Sequence, residues 1–539
     1  MRIRMSTWMV CAAASWMLSA VHGCSEQGAE PRNDPAGAGG STTSGSTAGA
    51  GGATGKGGAG PTTGTGGAGA AAGTGGTPTG GSGGGAGTGD GGASGTNGGR
   101  SGGGAAGTGG ANDAGASDTS SGGNAGQSDS GRDGSGGIAG ADGGIDGADT
   151  STQPIMRDVL LVGNSVAGTI SFLDGTTFEN LGSVNVVPDR DEVMTAINAD
   201  LVRFIAYPIV KNAQLLHHFE PAAGDRFVDD LFLSLDGTVL YVSRSNLGDV
   251  AAFDLTKAAH PRIWRTFVES PKADHAALSP DGTRLVVSAT GTSRLADVLD
   301  ARSGKIVGSF ATGAYPHQND YSADGKYIYN SSIGNVGYQA VTYQNNANAG
   351  DRWLVKVDAS TFQVLKTWVF EWGIRPNVIT ADESIMYAQL SYLNGVIKYD
   401  LAASKETGRS DQPLSPFAMM TYKTYDEYPH HSAHHGLALS KDGKRLCDCG
   451  TIDNTVSIIR TDSMMVEKTI DVGMVPYWAT NSPDGLHCFV SLSGGDAISV
   501  IDYNAGTEVK VVPVGKFPQR SRLGRVPEHL LALLSRSPG

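Results

Sequence analysis

The side chains best suited to chemistry are histidines placed at the ends of short loops. His275 follows Asp274, and His317 follows Pro316. His434 and His435 end the run Tyr428-Pro-His430-His431-Ser-Ala-His434-His435. A neutral imidazole offers a transition metal one lone pair, and it titrates near neutral pH. His275, His317 and His435 around an open position would suit a copper or iron ion and an oxidation. Without a metal, the same imidazoles beside Tyr477 and Arg520 would give a general acid, a base and an anion clamp, as a lyase or lactone hydrolase needs. The plainer role is structural: a His behind Pro in such a loop bonds neighbouring backbone and closes space. His-rich tracts bind metal readily, but His430 and His431 fall on a loop open to solvent. His217-His218 is a weaker candidate pair in a segment that reads as a helix.

The loops carrying these residues share a frame, Gly-x-x-Pro followed by a variable residue. It reads Gly313-Ala-Tyr-Pro316-His317, Gly373-Ile-Arg-Pro376-Asn377, Gly473-Met-Val-Pro476-Tyr477 and Gly515-Lys-Phe-Pro518-Gln519-Arg520. Aligning the other loops adds Asp229-Asp230, Asp274-His275 and His434-His435. No P-loop, dinucleotide fingerprint, His-Glu-x-x-His, Gly-x-Ser-x-Gly or Cys-x-x-Cys-His is present.

What must position these loops is a repeat of two apolar strands around a tight turn. It recurs as LFLSLDGTVLYVS from Leu231, AALSPDGTRLVVS from Ala276, NDYSADGKYIYNS from Asn319, NVITADESIMYAQ from Asn377, LALSKDGKRLCDC from Leu437 and ATNSPDGLHCFVS from Ala479. Asp-Gly at Asp236, Asp281, Asp324, Asp442 and Asp484 suits the turn, because Gly takes positive φ without strain. One repeat carries Asp382-Glu383 instead. Two further strands follow each hairpin, as in Val298 to Val307 and Val500 to Val509. Four strands per unit of roughly 42–60 residues is a propeller signature. Val159–Val162 and Thr169–Phe172 read as a blade lacking its first strand, which the stretch after Gly515 would supply. That closure leaves no open sheet edge and makes seven blades.

These repeats resemble the bacterial YVTN-type β-propeller repeat, whose consensus runs Pro-Asp-Gly, Leu-Tyr-Val, Asn-Thr-Val-Ser-Val-Ile-Asp. Thr451-Ile-Asp-Asn-Thr-Val-Ser-Ile-Ile459 carries the resemblance most closely. It implies an all-β, seven-bladed propeller over residues 157–525, with the ring Asp229, Asp230, His275, His317, Asn377, His434, His435, Tyr477 and Arg520 at one mouth of the central channel. A fold of this kind serves many functions. Three segments interrupt the repeat: a helical insertion over 189–219, a polar loop over 332–351 and a long loop over 404–429. In repeat folds such insertions often mark the binding face.

Residues 1–23 read as an export signal, with Arg2 and Arg4 ahead of a short apolar run. Val21-His22-Gly23-Cys24 resembles a lipobox, although His22 departs from it, so lipidation at Cys24 is expected to anchor the chain to a membrane. Cleavage without a lipid would leave a periplasmic or secreted protein. Residues 24–150 hold most of the 80 glycines and almost no large apolar side chain, so they are expected to be a disordered tether. Residues 526–539 form a tail, with a short surface helix expected over 527–535. The net charge of −13 and the absence of a basic patch exclude a nucleic-acid partner. Cys447 and Cys488 have opposite side-chain parity in aligned strands, so they face each other where two blades stack. A disulfide and two buried thiols are both compatible with that placement. The expected function is an exported, monomeric binding scaffold at the outer membrane or cell surface, gripping a protein, glycan or small molecule. The alternative is a metal-dependent oxidoreductase or lyase at the His-lined mouth.

Overall fold

The computed structural model describes residues 154–216, 224–291, 293–336 and 340–535. The export signal, Cys24, the Gly-rich stretch and His217-His218 lie outside the described residues. Among the described residues, no helix is long and apolar enough to cross a membrane.

Twenty-eight strands form seven four-stranded antiparallel sheets. The blades after the first are β4–β7 (Asp230–Phe267), β8–β11 (Lys272–Ala311), β12–β15 (Pro316–Val369), β16–β19 (Ile374–Asp411), β20–β23 (Leu437–Asp471) and β24–β27 (Pro476–Pro513). The first blade joins β1 (Met156–Asn164), β2 (Thr169–Asp174) and β3 (Asn180–Asn185) to β28 (Pro518–Pro527), in the order β28-β1-β2-β3. The C-terminal strand therefore closes the ring, paired with β1 from Met156–Pro527 to Asn164–Pro518. This is a seven-bladed β-propeller. Its core lies between blades, where the second and third strands of each are buried on both faces.

The turn chemistry explains the repeat. A Ser or Thr two residues before each turn Asp donates to it, as Ser279 does to Asp281 at 2.6 Å and Ser440 to Asp442 at 2.7 Å. The same carboxylate accepts the backbone N–H two residues on, an Asx turn. The glycines that follow sit at φ near +70°, and Glu383 takes +58° in their place. Its carboxylate meets Lys356 of the neighbouring blade at 2.6 Å. The prolines also have a use. Thr290 donates to the Pro316 carbonyl at 2.6 Å and Thr451 to that of Pro476 at 2.8 Å, so each proline carbonyl tethers one blade to the last.

The insertion after β3 is two helices, α1 (Arg190–Ala199) and α2 (Leu201–Leu216). Asp189 holds α1 against blade two through Arg244 and Arg262. The second insertion, between β13 and β14, carries a short 3-10 turn, Asn346–Ala349. The third begins later than expected, because Lys405–Asp411 is the outer strand of its blade. It holds α3 (Pro416–Thr421), capped by Ser415. The segment after Pro527 is a short 3-10 helix, Glu528–Leu533, at the surface, with one face turned inward. Leu530 and Leu534 are buried against the first two blades. Cys447 of β21 and Cys488 of β25 form a disulfide across blades six and seven, and Cys449 is a buried thiol.

Strand direction alternates within a blade. The links between blades and the links from second to third strand therefore leave the same face. All three insertions are such links, so they share one face with the start of every innermost strand.

Candidate functional site

At the start of the innermost strand the pleat is interrupted at the same place in several blades. Asp274-His275, His317-Gln318, Arg375-Pro376 and Gln519-Arg520 each oppose a single residue of the next strand. In the seventh blade Tyr477 is the extra residue. Such bulges end the alternation of a strand and re-aim its side chains. In the sixth blade Gly436 occupies the equivalent place at φ +137°, where a Cβ would lie 2.8 Å from Trp478 Cα. The position seven residues before the turn Asp is thus Asp229, Asp274, His317, Arg375, His435 and Tyr477 in blades two to seven, with Gln519-Arg520 completing the circle. None of these side chains is more than 7% exposed, so they pack on one another across the axis.

Contacts run continuously around this ring. Tyr477 stacks on His435 with centroids 4.0 Å apart, His435 meets His317 edge-on at 5.6 Å, and His317 meets His275 at 4.0 Å. Arg520 Nε donates to His275 Nδ1 at 3.0 Å, and His275 Nε2 lies 3.1 Å from His317 Nε2. These contacts assign the tautomers. An acceptor at Nδ1 puts the His275 proton on Nε2, which donates to His317 Nε2. The His317 proton then sits on Nδ1, which is buried without a partner. His435 Nδ1 donates to the Tyr477 carbonyl at 3.0 Å. Burial, reinforced by the cationic Arg520, holds the pKa of all three imidazoles well below the ordinary range.

The charged groups are paired closely. Arg522 grips Asp230 through two bonds of 2.9 and 2.7 Å. Lys272 lies 2.7 Å from Asp274, and Arg520 Nη1 lies 2.8 Å from Asp229. Trp478 lies beneath both arginines, 5.0 Å from Arg520 and 4.9 Å from Arg522. Burial opposes ionisation at both Asp229 and Asp274. Lys272 and Arg520 hold Asp274 below the usual carboxylate range, and Asp229 is the one pushed up.

Of the expected metal set, His275 and His317 come together, and with Asp274, which was not in that set, they bring ligand atoms within 4.8 Å of one another, while His435 stands outside the group. The hydrogen-bond direction set by Arg520 places a proton on the His275 nitrogen that an ion would need. His434 turns away from the axis. Its Nδ1 meets Asp448 at 2.8 Å and its Nε2 meets Asn394 at 2.7 Å. Burial works against its charge, but Asp448 outweighs burial and raises its pKa. Asn377 also leaves the ring. Its amide donates to Ser331 between blades, and its backbone is held by Gln318. The axial residue of that blade is Arg375, which the Gly-x-x-Pro frame hides. Pro376 stands six residues before its turn Asp, whereas Pro316 and Pro476 stand eight before theirs. Counting from the turn Asp would have found Arg375, and stepping two residues along the strand from Arg520 would have found Arg522.

The third insertion runs to the rim of this ring. Arg375 donates to Ser391 Oγ at 3.1 Å and to the carbonyl of His430. His431 stacks on Tyr392 at 4.9 Å. Tyr343 of the second insertion lies between Trp372 and Tyr425, at 5.1 and 4.4 Å, so the two insertions join in one aromatic stack. No protein-family model and no curated protein matches the chain. Among solved structures, one similar chain is Kuenenia stuttgartiensis hydrazine synthase. It is 17% identical with a TM-score of 0.46, and the match covers 67% of this chain and 99% of that one.

Proposed function

We propose that this protein is an exported, YVTN-type binding propeller of the bacterial cell envelope, tethered through a lipid on Cys24, whose ligand sits on the inserted face over the axial ring. The observation that carries this reading is convergence. All three insertions and the bulged starts of the innermost strands lie on the same face. Insertions concentrated on one face of a repeat fold suit recognition, and bulges cost ladder bonds that a purely structural strand would keep. The Cys447–Cys488 bridge suits an oxidising compartment. The exposed rings of Tyr343 and Tyr425 offer contact area beside the mouth.

The test is a thermal-shift panel of neutral oligosaccharides, amino acids, small anions and divalent metals on the wild type and on Tyr477→Phe and His435→Gln. The reading expects at least one compound to stabilise the wild type and to lose that effect in a ring variant. A panel in which nothing depends on the ring overturns it. The second reading is a copper- or iron-dependent oxidoreductase or lyase, with Tyr477 and Arg520 as acid and anion clamp. The proximity of Asp274, His275 and His317 favours it. Stoichiometric metal in untagged protein, lost in His317→Ala, would establish that reading instead.

A further inference from the structure

The charges of the axial cluster do not cancel. Asp230, Asp274 and Asp229 are matched by Arg522, Lys272 and Arg520. Asp320 acts on Arg522 and is held by Gln318 at 2.7 Å. Five cations therefore face four carboxylates, and the two guanidiniums without a carboxylate beside them are Arg226 and Arg375. They are 5% and 2% exposed, and among the described residues neither has a carboxylate within 4.0 Å. Arg226 donates to the neutral Gln519 and lies over the Phe517 ring at 5.0 Å. Arg375 bonds a serine hydroxyl and a backbone carbonyl. An isolated buried cation is costly, and proteins rarely keep one without a counter-charge. Burial lowers the pKa of both, that of Arg375 to about 10.

A second observation points the same way. Arg226 Nε, His317 Nδ1 and Trp478 Nε1 are buried N–H groups with no acceptor. Leaving a buried donor unmade costs more than a made bond gains, and native structures satisfy nearly all such groups. The cluster therefore carries one positive charge more than its carboxylates answer, and three of its donors lack an acceptor. Phe517, on which Arg226 rests, packs against Tyr477. Tyr477 and Asp274 both lie near enough to act on the two arginines.

The geometry points to a small oxyanion, a phosphate or a carboxylate, held at the axial mouth by Arg226 and Arg375 with Tyr477 beside it. This rests on the reading that the axial mouth is the binding site, and it moves the anion clamp from Arg520, whose charge Asp229 already answers. Guanidinium forks match oxyanion geometry better than a point charge does.

Calorimetric titration of the full chain with inorganic phosphate, sulfate and succinate, at constant ionic strength in chloride, tests this. The wild type should bind at least one of them saturably, with the tighter of phosphate and succinate naming the source. Arg375→Met and Arg226→Gln should each bind about tenfold more weakly or worse. Without the oxyanion, Arg375→Met should melt no lower than the wild type, because it removes an uncompensated buried charge. Circular dichroism checks that both variants fold, and Lys516→Gln serves as an exposed control that should bind like the wild type. No oxyanion binding to the wild type, or equal binding to all four proteins, overturns the assignment. If a neutral compound from the panel above depends on Tyr477 while oxyanions do not bind, the anion is refuted and the binding reading stands. If nothing depends on the ring, the binding reading itself fails.

Discussion

Reducing the Cys447–Cys488 bridge isolates one quantity, the entropy of the unfolded chain. Both sulfurs are fully buried in one apolar cluster with Val490 and Ile501, so the two thiols remain packed when the bond is cut. The bridge closes a loop with a sequence separation of 41. The chain-entropy relation then gives about 13 cal/mol/K, or about 4 kcal/mol at 25 °C. For a folded unit of roughly 380 residues, the unfolding entropy is about 0.8 kcal/mol/K, so the melting temperature should fall by about 5 °C. The assay compares thermal melts of protein refolded oxidised with protein refolded under thiol reductant, with thiol titration in denaturant confirming the redox state of each. A shift below about 1 °C with the bond demonstrably cut would refute the reasoning. It would mean that the denatured chain already holds blades six and seven together.

Other predictions concern charge and closure. His317→Gln should gain on the wild type by about 1.4 kcal/mol for each pH unit below about 6.5, measured by denaturant unfolding across pH. The sign follows from the depressed folded pKa: the unfolded imidazole takes its proton near 6.5, the buried one stays neutral, and stability is lost as pH falls. Asp229, pushed up, and His434, also raised, work in the opposite sense, so the difference between variants and not the whole-protein slope is the readout. Arg522→Met should cost about 3–5 kcal/mol in urea unfolding by leaving buried Asp230 unpaired, and adding Asp230→Asn should recover most of it. Ending the chain at Lys516 removes β28 and exposes the edge of β1, so size-exclusion chromatography should find aggregate in place of a soluble monomer.

Much of this protein is written locally. The turn aspartates, the glycines at positive φ and the alternating strands act over a few residues. The repeat, its seven-fold count and the closing role of the strand after Gly515 were therefore legible before any coordinates. The axial positions of His317, His435 and Tyr477 were legible for the same reason, because each stands seven residues before a turn Asp, and His275 stands one place further on. Parity along the strands brought Cys447 and Cys488 face to face but could not choose between a bond and two thiols. Blade five shows where local reading stops. Its proline shifts by two residues against the turn, so the frame selected Asn377 while the bulge presents Arg375. Pairing lay further beyond reach. Asp230 meets Arg522 and Arg520 meets His275 across hundreds of residues of chain, because ring closure brings the last strand beside the second and third blades. The sequence alone determined which side chains face the axis in most blades, since pleat and turn are short-range. Only the tertiary structure decided which charges pair there and which two guanidiniums stand without a carboxylate beside them, since that depends on neighbours the chain meets only when the circle is complete.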